Sequence, residues 1–520
     1  MIRDHIAANL GIEPDDFEYA PFSQHGGLGK VHQHVRRQVE CNDRRIERDV
    51  GGMKVKQMEL PPGWEWTTMG EIADVVGGGT PKTNEPSNYE GGTIPWLTPA
   101  DLSGYTAKTI GHGARYITQK GLDTSSAKMM PAGTVLFTSR APIGYVAIAS
   151  NPVCANQGFK SFVLKDGVLP DYVYWWLKGS KNLAESMASG TTFLELSGAK
   201  AKQLPIPIAP LDQQKRIVAE IEKQFSRLDE AVANLKRVKA NLKRYKAAVL
   251  KAAVEGRLVE TEAELARREG RSYETGGQLL QRILETRRSQ WKGKGKYKEP
   301  AVPDTTDLPE LPEGWVWASP EQLSAGEPYS LAIGPFGSSL KVSDYTNSGV
   351  PLVFVRNIRS ASFGGPDVVF VSQEKAEELR AHRVSVGDLL VTKMGDPPGD
   401  VCIYPTGRPP AVITADCIKL RLRPDFSSTQ FFACAIESDL VHKQILGITK
   451  GVAQLKVSLG RFGSIAFPLP PLTEQHRIVA EVDRRLSLAK EAEAQVDANL
   501  KRAQVLRGAV LSNAFQNKQL

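Results

Sequence analysis

One stretch of this chain occurs twice, and the distance between the two copies limits what the chain can fold into. LPIPIAPLDQQKRIVAEIE at 204–222 returns as FPLPPLTEQHRIVAEVD at 467–483. Leu211 and Gln214 fall on Leu472 and Gln475, and Arg216 through Glu220 fall on Arg477 through Glu481, an offset of 261. A second pair marks the other end of the repeat: LPPGWEW at 60–66 returns as LPEGWVW at 311–317, an offset of 251. Such a period is far too long for a solenoid, whose repeats run ~20–50 residues. The chain is therefore two copies of one long unit, each a globular part followed by a helix. A pseudo-two-fold object of this kind suits a target that itself comes in two halves.

Composition narrows the partners. The 520 residues carry a formal net charge of +8 and a pI near 9.0, which favours a polyanion, nucleic acid before membrane. The five cysteines form no C-x-x-C pair, so neither a zinc site nor a disulfide framework is expected and a reducing cytoplasm fits. No apolar run approaches the ~18 residues of a membrane span, so no membrane partner is expected. The opening MIRDHIAANLGIEPDDFEYA lacks the basic-then-apolar pattern of a signal peptide.

Each copy of the repeated motif runs through prolines into a helix start. Pro205, Pro207 and Pro210 hold the first chain extended, and Pro468, Pro470 and Pro471 the second. Asp212 and Thr473 then stand where N-caps are expected. Beyond them lies a four–three spacing of apolar residues. In the first helix it includes Ile217, Ile221, Leu228, Leu235, Leu242 and Val249, with Val238 and Tyr245 at intervening positions. In the second it includes Ile478, Val482, Val496, Leu506 and Val510. Spacing sustained over four heptads is a coiled-coil signal. Packing of each helix on its own globular part is the plainer alternative. An antiparallel pair is preferred, since neither stripe can be buried alone and both helices end alike, AAVLKAA at 247–253 and GAVLSNA at 508–514.

The globular parts read as mixed α and β, and the fold class is α+β. Strand-like runs are TIPWLTP (93–99), GTVLFTS (133–139) and GYVAIAS (144–150), then GVPLVFVRNI (349–358), GDLLVTKMG (387–395) and DVCIYP (400–405). Helical runs follow at 169–180 and 428–438. Between these pieces the copies diverge, as loops that bind different targets would. The expected division is an N-terminal extension (1–57), a first globular domain (58–210), a first helix (211–255), a charged linker (256–310), a second globular domain (311–471) and a second helix (472–520). In the linker a solvated reading of the lysine run KGKGKYK (292–298) is favoured over a phosphate contact.

Catalytic motifs are not found. Gly26-Gly27-Leu28-Gly29-Lys30-Val31 misses the glycine spacing and the hydroxyl of a phosphate loop. Asp396-Pro397-Pro398-Gly399 resembles the D-P-P-aromatic motif of DNA amino-methyltransferases without its aromatic, and a turn is the favoured reading. No histidine pair has metal-ligand spacing, and no nucleophile–base pair stands out. The chain reads as non-catalytic, with no metal and no cofactor of its own.

At this point the anchors resemble a known family. GWEWTTMGEIADVVGGGTPKTNEPSNYEGGTIPWLTPADL (63–102) is similar to the start, and SGTTFLELSGAKAKQLPIPIAPLDQQKRI (189–217) to the end, of the target recognition domain in specificity subunits of type I restriction–modification enzymes. The resemblance covers about 58–515. In the second unit Gly334-Pro335-Phe336-Gly337 replaces the Gly-Gly-Thr-Pro of the first, which implies different binding by its loops. Residues 12–33 resemble instead the C-terminal tail of the restriction subunit, as expected of a gene-fusion remnant or of a mis-called start with Met53 or Met58 as the ancestral one.

The resemblance implies that each recognition domain reads one half of a split site on double-stranded DNA and that the paired helices set the gap. It implies two modification subunits that methylate adenine with S-adenosylmethionine, and restriction subunits that use ATP and Mg. Two other readings are a self-contained methyltransferase or nuclease and a protein-only coiled-coil adaptor. The missing cofactor motifs weigh against the first, and the basic charge against the second.

Readout of bases calls for Arg or Lys on guanine, Asn or Gln on adenine, and hydroxyls elsewhere. Loop residues of that chemistry are Thr80, Lys82, Arg140, Asn156, Gln157, Lys160, Thr191 and Thr192 in the first unit. In the second they are Lys341, Arg356, Asn357, Arg359, Lys393, Lys450, Gln454 and Lys456.

Overall fold

The computed structural model describes residues 45–50, 53–58, 60–190, 194–291, 296–359, 362–365, 369–395, 397–450 and 455–515, with backbone alone at 45–58 and 359. The stretch likened to a restriction-subunit tail, 12–33, lies outside the described residues. Arg45–Val50 and Met53–Met58 pair as an antiparallel hairpin. The chain divides into two compact units, Met1–Leu228 with Gln504–Leu520, and Asp229–Ala503.

The repeated anchors explain how each globular part closes. In the first unit Glu65–Thr68 pairs antiparallel with Pro205–Ile208, with Trp66 opposite Pro207. In the second, Val316–Ala318 pairs antiparallel with Phe467–Leu469, with Trp317 opposite Pro468. Alternation of proline and apolar residues in PIPI puts both missing donors on one side of the strand, so the two-stranded ladder loses nothing. Gly63 and Gly314, the glycines of the two GW pairs, hold left-handed φ values of 84° and 85° that a side chain would strain.

Between these closures the sheets follow one pattern. The first unit has a five-stranded sheet in the order Ala73–Gly77, Lys160–Leu164, Val135–Ser139, Ile143–Ala149, Thr109–Ile110. A smaller sheet has Ile94–Leu97 parallel to Cys154–Ala155 and antiparallel to Tyr116–Ile117. The second unit has a four-stranded sheet, Leu331–Ile333, Cys417–Leu420, Leu389–Thr392, Val401–Ile403. Beside it Val350–Val353 runs parallel to Ala411–Ile413 and antiparallel to Phe370–Val371. The helices Pro170–Gly179 and Thr429–Glu437 lie where the sequence places them. They bury Tyr172, Val173 and Leu177 with Phe137 and Phe162 in one core, and Phe431 and Phe432 with Phe467 in the other.

The charged linker is more ordered than its composition implies. Glu262–Glu269 and Gly276–Ser289 are helices, each opened by a threonine capping box, Thr261 with Glu264 and Thr275 with Gln278. Leu279 and Ile283, one helical turn apart, are buried in the same core as Phe431 and Phe467. Gly276 sits where a Cβ would come within 2.2 Å of the Leu469 carbonyl oxygen, so the helix start presses on the closing strand. Of the lysine run, 292–295 lie outside the described residues.

Two long helices follow the closures, Leu211–Val254 and Leu472–Ala514, each starting one residue before the expected cap. In the second unit Lys239 meets Asp497 at 2.6 Å and Lys246 meets Glu493. One number rises as the other falls, so the helices lie antiparallel along this stretch. Val482, Ala489, Val496 and Ala503 are buried at seven-residue intervals. Ile478 and Val482 share a core with Val249 and Ala253 of the first long helix. In the first unit Ile217, Ile221 and Phe225 are buried in one core with Leu511, Ala514 and Phe515.

The expected seam needs correction in the middle of the first long helix and at the end of the second. Leu506 is 45% exposed, Val238 37% and Tyr245 38%. Leu228, Leu235, Leu242 and Val510 are half-buried. A straight helix drifts about 20° per heptad against a 3.5-residue stripe. The last turns of the second long helix leave that stripe and face the first unit's core. Leu511, Ala514 and Phe515 take the buried places there, with the Phe515 ring edge-on to Tyr172 and Trp176 at 5.1 Å each.

Candidate DNA interface

The repeated polar residues fasten the framework on which the loops stand. Gln214, 1% exposed, accepts the Leu169 amide at 3.0 Å and donates to the Ala209 carbonyl at 2.8 Å. Gln475, fully buried, accepts the Ser428 amide at 2.8 Å and donates to the Pro470 carbonyl at 3.0 Å. Each glutamine thus ties the proline stretch to the start of the helix that follows the sheet. Their recurrence reflects a buried bond, not a ligand.

In the first unit five candidates converge on one loop cluster. Gly78 packs so closely that a Cβ would lie 1.8 Å from the Asn156 carbonyl oxygen. That approach brings Thr80 beside Gln157, and their side chains are hydrogen-bonded. Asn156 braces its own turn, accepting the Gly158 amide at 2.9 Å. Ser189 pairs with Glu195, and Thr191 and Thr192 lie outside the described residues. Glu195 in turn bridges to Arg140 and stands 3.8 Å from its guanidinium and 3.7 Å from the Lys160 ammonium. Partly exposed pairs of this kind contribute about 0–1 kcal/mol, so both cations can change partners at little cost. Lys82 stands apart, exposed and 3.6 Å from Glu85.

The second unit builds the same cluster with other side chains. A Cβ on Gly334 would lie 2.0 Å from the Thr414 carbonyl oxygen, as Gly78 does against Asn156. Lys450 pairs with Lys456 where Ser189 pairs with Glu195, at the repeat's offset of 261. Lys456 bridges to Met394 where Glu195 bridges to Arg140. Lys393, 7% exposed, donates to the Ala415 carbonyl at 3.2 Å and lies over the Phe336 ring at 4.6 Å. Burial pushes its ammonium below the usual lysine range, Asp416 pulls the other way and Lys456 adds to the depression. One acid between two cations in the first cluster is thus replaced by lysines in the second.

The remaining candidates of the second unit sit elsewhere. Asn357 is buried and commits its amide to its own turn, accepting from the Phe354 amide at 2.9 Å and donating to the Gly364 carbonyl at 3.2 Å. Arg356 is exposed and lies over the Phe354 ring at 4.3 Å. Lys341 is exposed at the start of a short 3-10 turn. Gln454 and the Arg359 side chain lie outside the described residues. Glu195 and Phe336 are the residues that sequence reasoning missed. The offset of 261 carries Glu195 onto Lys456 and could have found the first. Phe336 has no signal beyond its place in the divergent Gly-Pro-Phe-Gly.

Among the described residues no group of three His, Cys, Asp or Glu is placed to hold a metal ion. No helix among them is long and apolar enough to cross a membrane.

Comparison with known proteins sets these clusters in a family. Residues 61–244 and 375–502, more than half of the chain, match the model for the type I restriction modification DNA specificity domain. The specificity subunit of the type I restriction enzyme MjaIX of Methanocaldococcus jannaschii is 40% identical over 181 residues, 34% of this chain and 40% of that protein. The EcoR124I/EcoR124II specificity subunit of Escherichia coli is 30% identical over 174 residues, 32% of this chain and 42% of that protein. The chain thus spans about two fifths of the length of these two relatives. The EcoBI specificity subunit of Escherichia coli aligns over 91% of this chain and 89% of its own length at 22% identity. The fold is shared with the HsdS subunit from Thermoanaerobacter tengcongensis, with a TM-score of 0.54 and 17% identity over 90% of this chain and all of that one. A chain from a structural study of complex assembly and conformational transition in the type I R-M system gives a TM-score of 0.57 at 18% identity, over 89% of this chain and all of that one. With its doubly closed framework and its paired loop clusters, the chain belongs to the type I restriction modification DNA specificity family.

Proposed function

We propose that this chain is the non-catalytic, DNA-reading subunit of a type I restriction–modification assembly in the cytoplasm. Residues 58–210 and 311–471 act as two similar recognition domains, each reading one half of a bipartite duplex site. The helices at 211–255 and 472–520 pair as an antiparallel coiled coil that sets the gap. On this scaffold two modification subunits dock and methylate adenine with S-adenosylmethionine. Restriction subunits add ATP- and Mg-dependent translocation and cleavage. The observation that carries this reading is the pair of equivalent loop clusters with different charge, Glu195 between Arg140 and Lys160 against Lys450, Lys456 and Lys393. One framework with exchanged side chains is the arrangement expected of two readers with two half-sites. Cations able to leave weak partners for guanine or phosphate supply the chemistry.

The test is the pattern of methylated adenine in host DNA with the system intact and with this chain deleted. The expected result is a motif in two defined blocks around an undefined gap, lost on deletion. A continuous or palindromic motif assigned to this system would overturn the reading.

A further inference from the structure

One five-residue string occurs three times in the long helices. ANLKR stands at 233–237, again one heptad later at 240–244, and again at 498–502 in the second long helix. The third copy is displaced by 265 from the first and 258 from the second, so the 261-residue repeat does not account for it. All three copies lie in the second unit, where the helices run antiparallel.

The pairing residues fix where these cations point. Lys236 precedes Lys239 by three residues, Lys243 precedes Lys246 by three, and Lys490 precedes Glu493 by three; Lys501 follows Asp497 by four. At about 100° per residue, a step of three back or four forward turns the same way from the contact line, by about 40–60°. An antiparallel pair is related by an axis normal to the plane of the two helices, so equal turns reach the same edge. Lys236, Lys243, Lys490 and Lys501 therefore share one edge, and all are exposed. The ion pairs between the helices use Lys239 and Lys246 and leave these four in solvent. Between the lysines the edge carries exposed alanines, Ala233, Ala240 and Ala247 on one helix and Ala494 and Ala498 on the other. The opposite edge differs, with Val238 37%, Tyr245 38% and Leu488 48% exposed.

We infer that the lysine edge binds the phosphate backbone of duplex DNA in the gap between half-sites. This rests on the bipartite reading above. A protein partner needs apolar or aromatic anchors, and these stand on the opposite edge. Beside Glu493 and Asp497, which are already paired with Lys246 and Lys239, the lysine edge offers point charges on flexible stems above an alanine surface. Contacts to phosphate carry no sequence information directly, so the contact does not depend on sequence. Along the helix axes Lys236 and Lys243 stand roughly 10 Å apart and Lys490 and Lys501 roughly 16 Å apart, a row of cations long enough to follow several phosphates of a duplex.

The test replaces Lys236, Lys243, Lys490 and Lys501 with Gln in the full chain and measures binding to a duplex with the host's methylated motif over a salt series. Loss of each phosphate contact lowers the log–log salt slope by about 0.9. The expected variant has a shallower slope, unchanged preference for the motif over scrambled half-sites, and lost hydroxyl-radical protection in the gap. An unchanged slope and footprint would overturn the inference, and so would a variant whose only defect is assembly with modification subunits, which would make the edge a protein interface. Wild-type chain with no preference for the motif would instead overturn the bipartite reading itself.

Discussion

Trp315 donates its indole N–H to the Glu474 carboxylate at 3.0 Å across 159 residues of chain. In the first unit Trp64 makes the same bond to the Gln213 side-chain oxygen at 2.7 Å. The tryptophan of each GW pair thus reaches the first turn of the long helix that closes its own domain. The two bonds differ in charge. Glu474 is fully buried, also accepts the Glu262 amide at 2.8 Å, and is pushed above the usual carboxylate range by that burial.

Trp315→Phe leaves this buried carboxylate short of a donor and is expected to cost about 2–3 kcal/mol of stability at neutral pH. Trp64→Phe removes a bond to a neutral, half-exposed amide and should cost about 0.5–1.5 kcal/mol. A raised carboxylate pKa gives stability that is present at acid pH and lost as pH rises through the folded value. The Trp315 variant raises that pKa further, so its deficit should shrink as pH falls. Urea unfolding at several pH values checks both the order and the trend.

Gln214→Ala and Gln475→Ala each strand a buried amide and a buried carbonyl, and each should cost about 2–4 kcal/mol. Because the glutamines serve different domains, each variant should loosen its own unit. Hydrogen exchange is the readout, with faster exchange near Leu169 in one variant and near Ser428 in the other.

Glu195→Lys gives the first cluster the charge of the second. Arg140 and Lys160 lose their acid, and binding to arbitrary duplex should tighten. Discrimination at the first half-site should fall while the second half-site is unaffected. Competition binding with duplexes altered in one half-site at a time checks this.

Val496→Asp and Leu506→Asp separate the observed seam from the one the spacing suggests. Val496 is 6% exposed and Leu506 45%. An unpaired carboxylate at Val496 should cost several kcal/mol, whereas at Leu506 thermal unfolding should hardly change. Equal effects would mean the helices pair in another register.

The alternating runs at 93–99, 133–139 and 144–150 were legible as strands because burial on one or both faces writes itself into apolar spacing. Val482 and Val496 were legible because they face another helix with the same period, whereas Val238 and Tyr245 on that helix stay exposed. Leu506 was not legible, since the last turns answer to Tyr172 and Trp176, which lie over 300 residues earlier in the chain. The helices at 262–269 and 276–289 were hidden by charge, with only Leu279 and Ile283 marking the buried face of the second. Side-chain chemistry picked out Asn156 and Asn357 as readers, yet the same amides suit tight turns, and the structure uses them there. Glu195 went unremarked because base readout directs attention to cations, and only the folded loop sets an acid between two of them.

The most direct test of two independent readers is an exchange of residues 60–205 for the corresponding domain of another specificity subunit, followed by mapping of adenine methylation in the presence of the modification subunits. The account predicts that one half-site changes, while the other half-site and the gap between them stay as they were. A change in both half-sites together, or in neither, would contradict it.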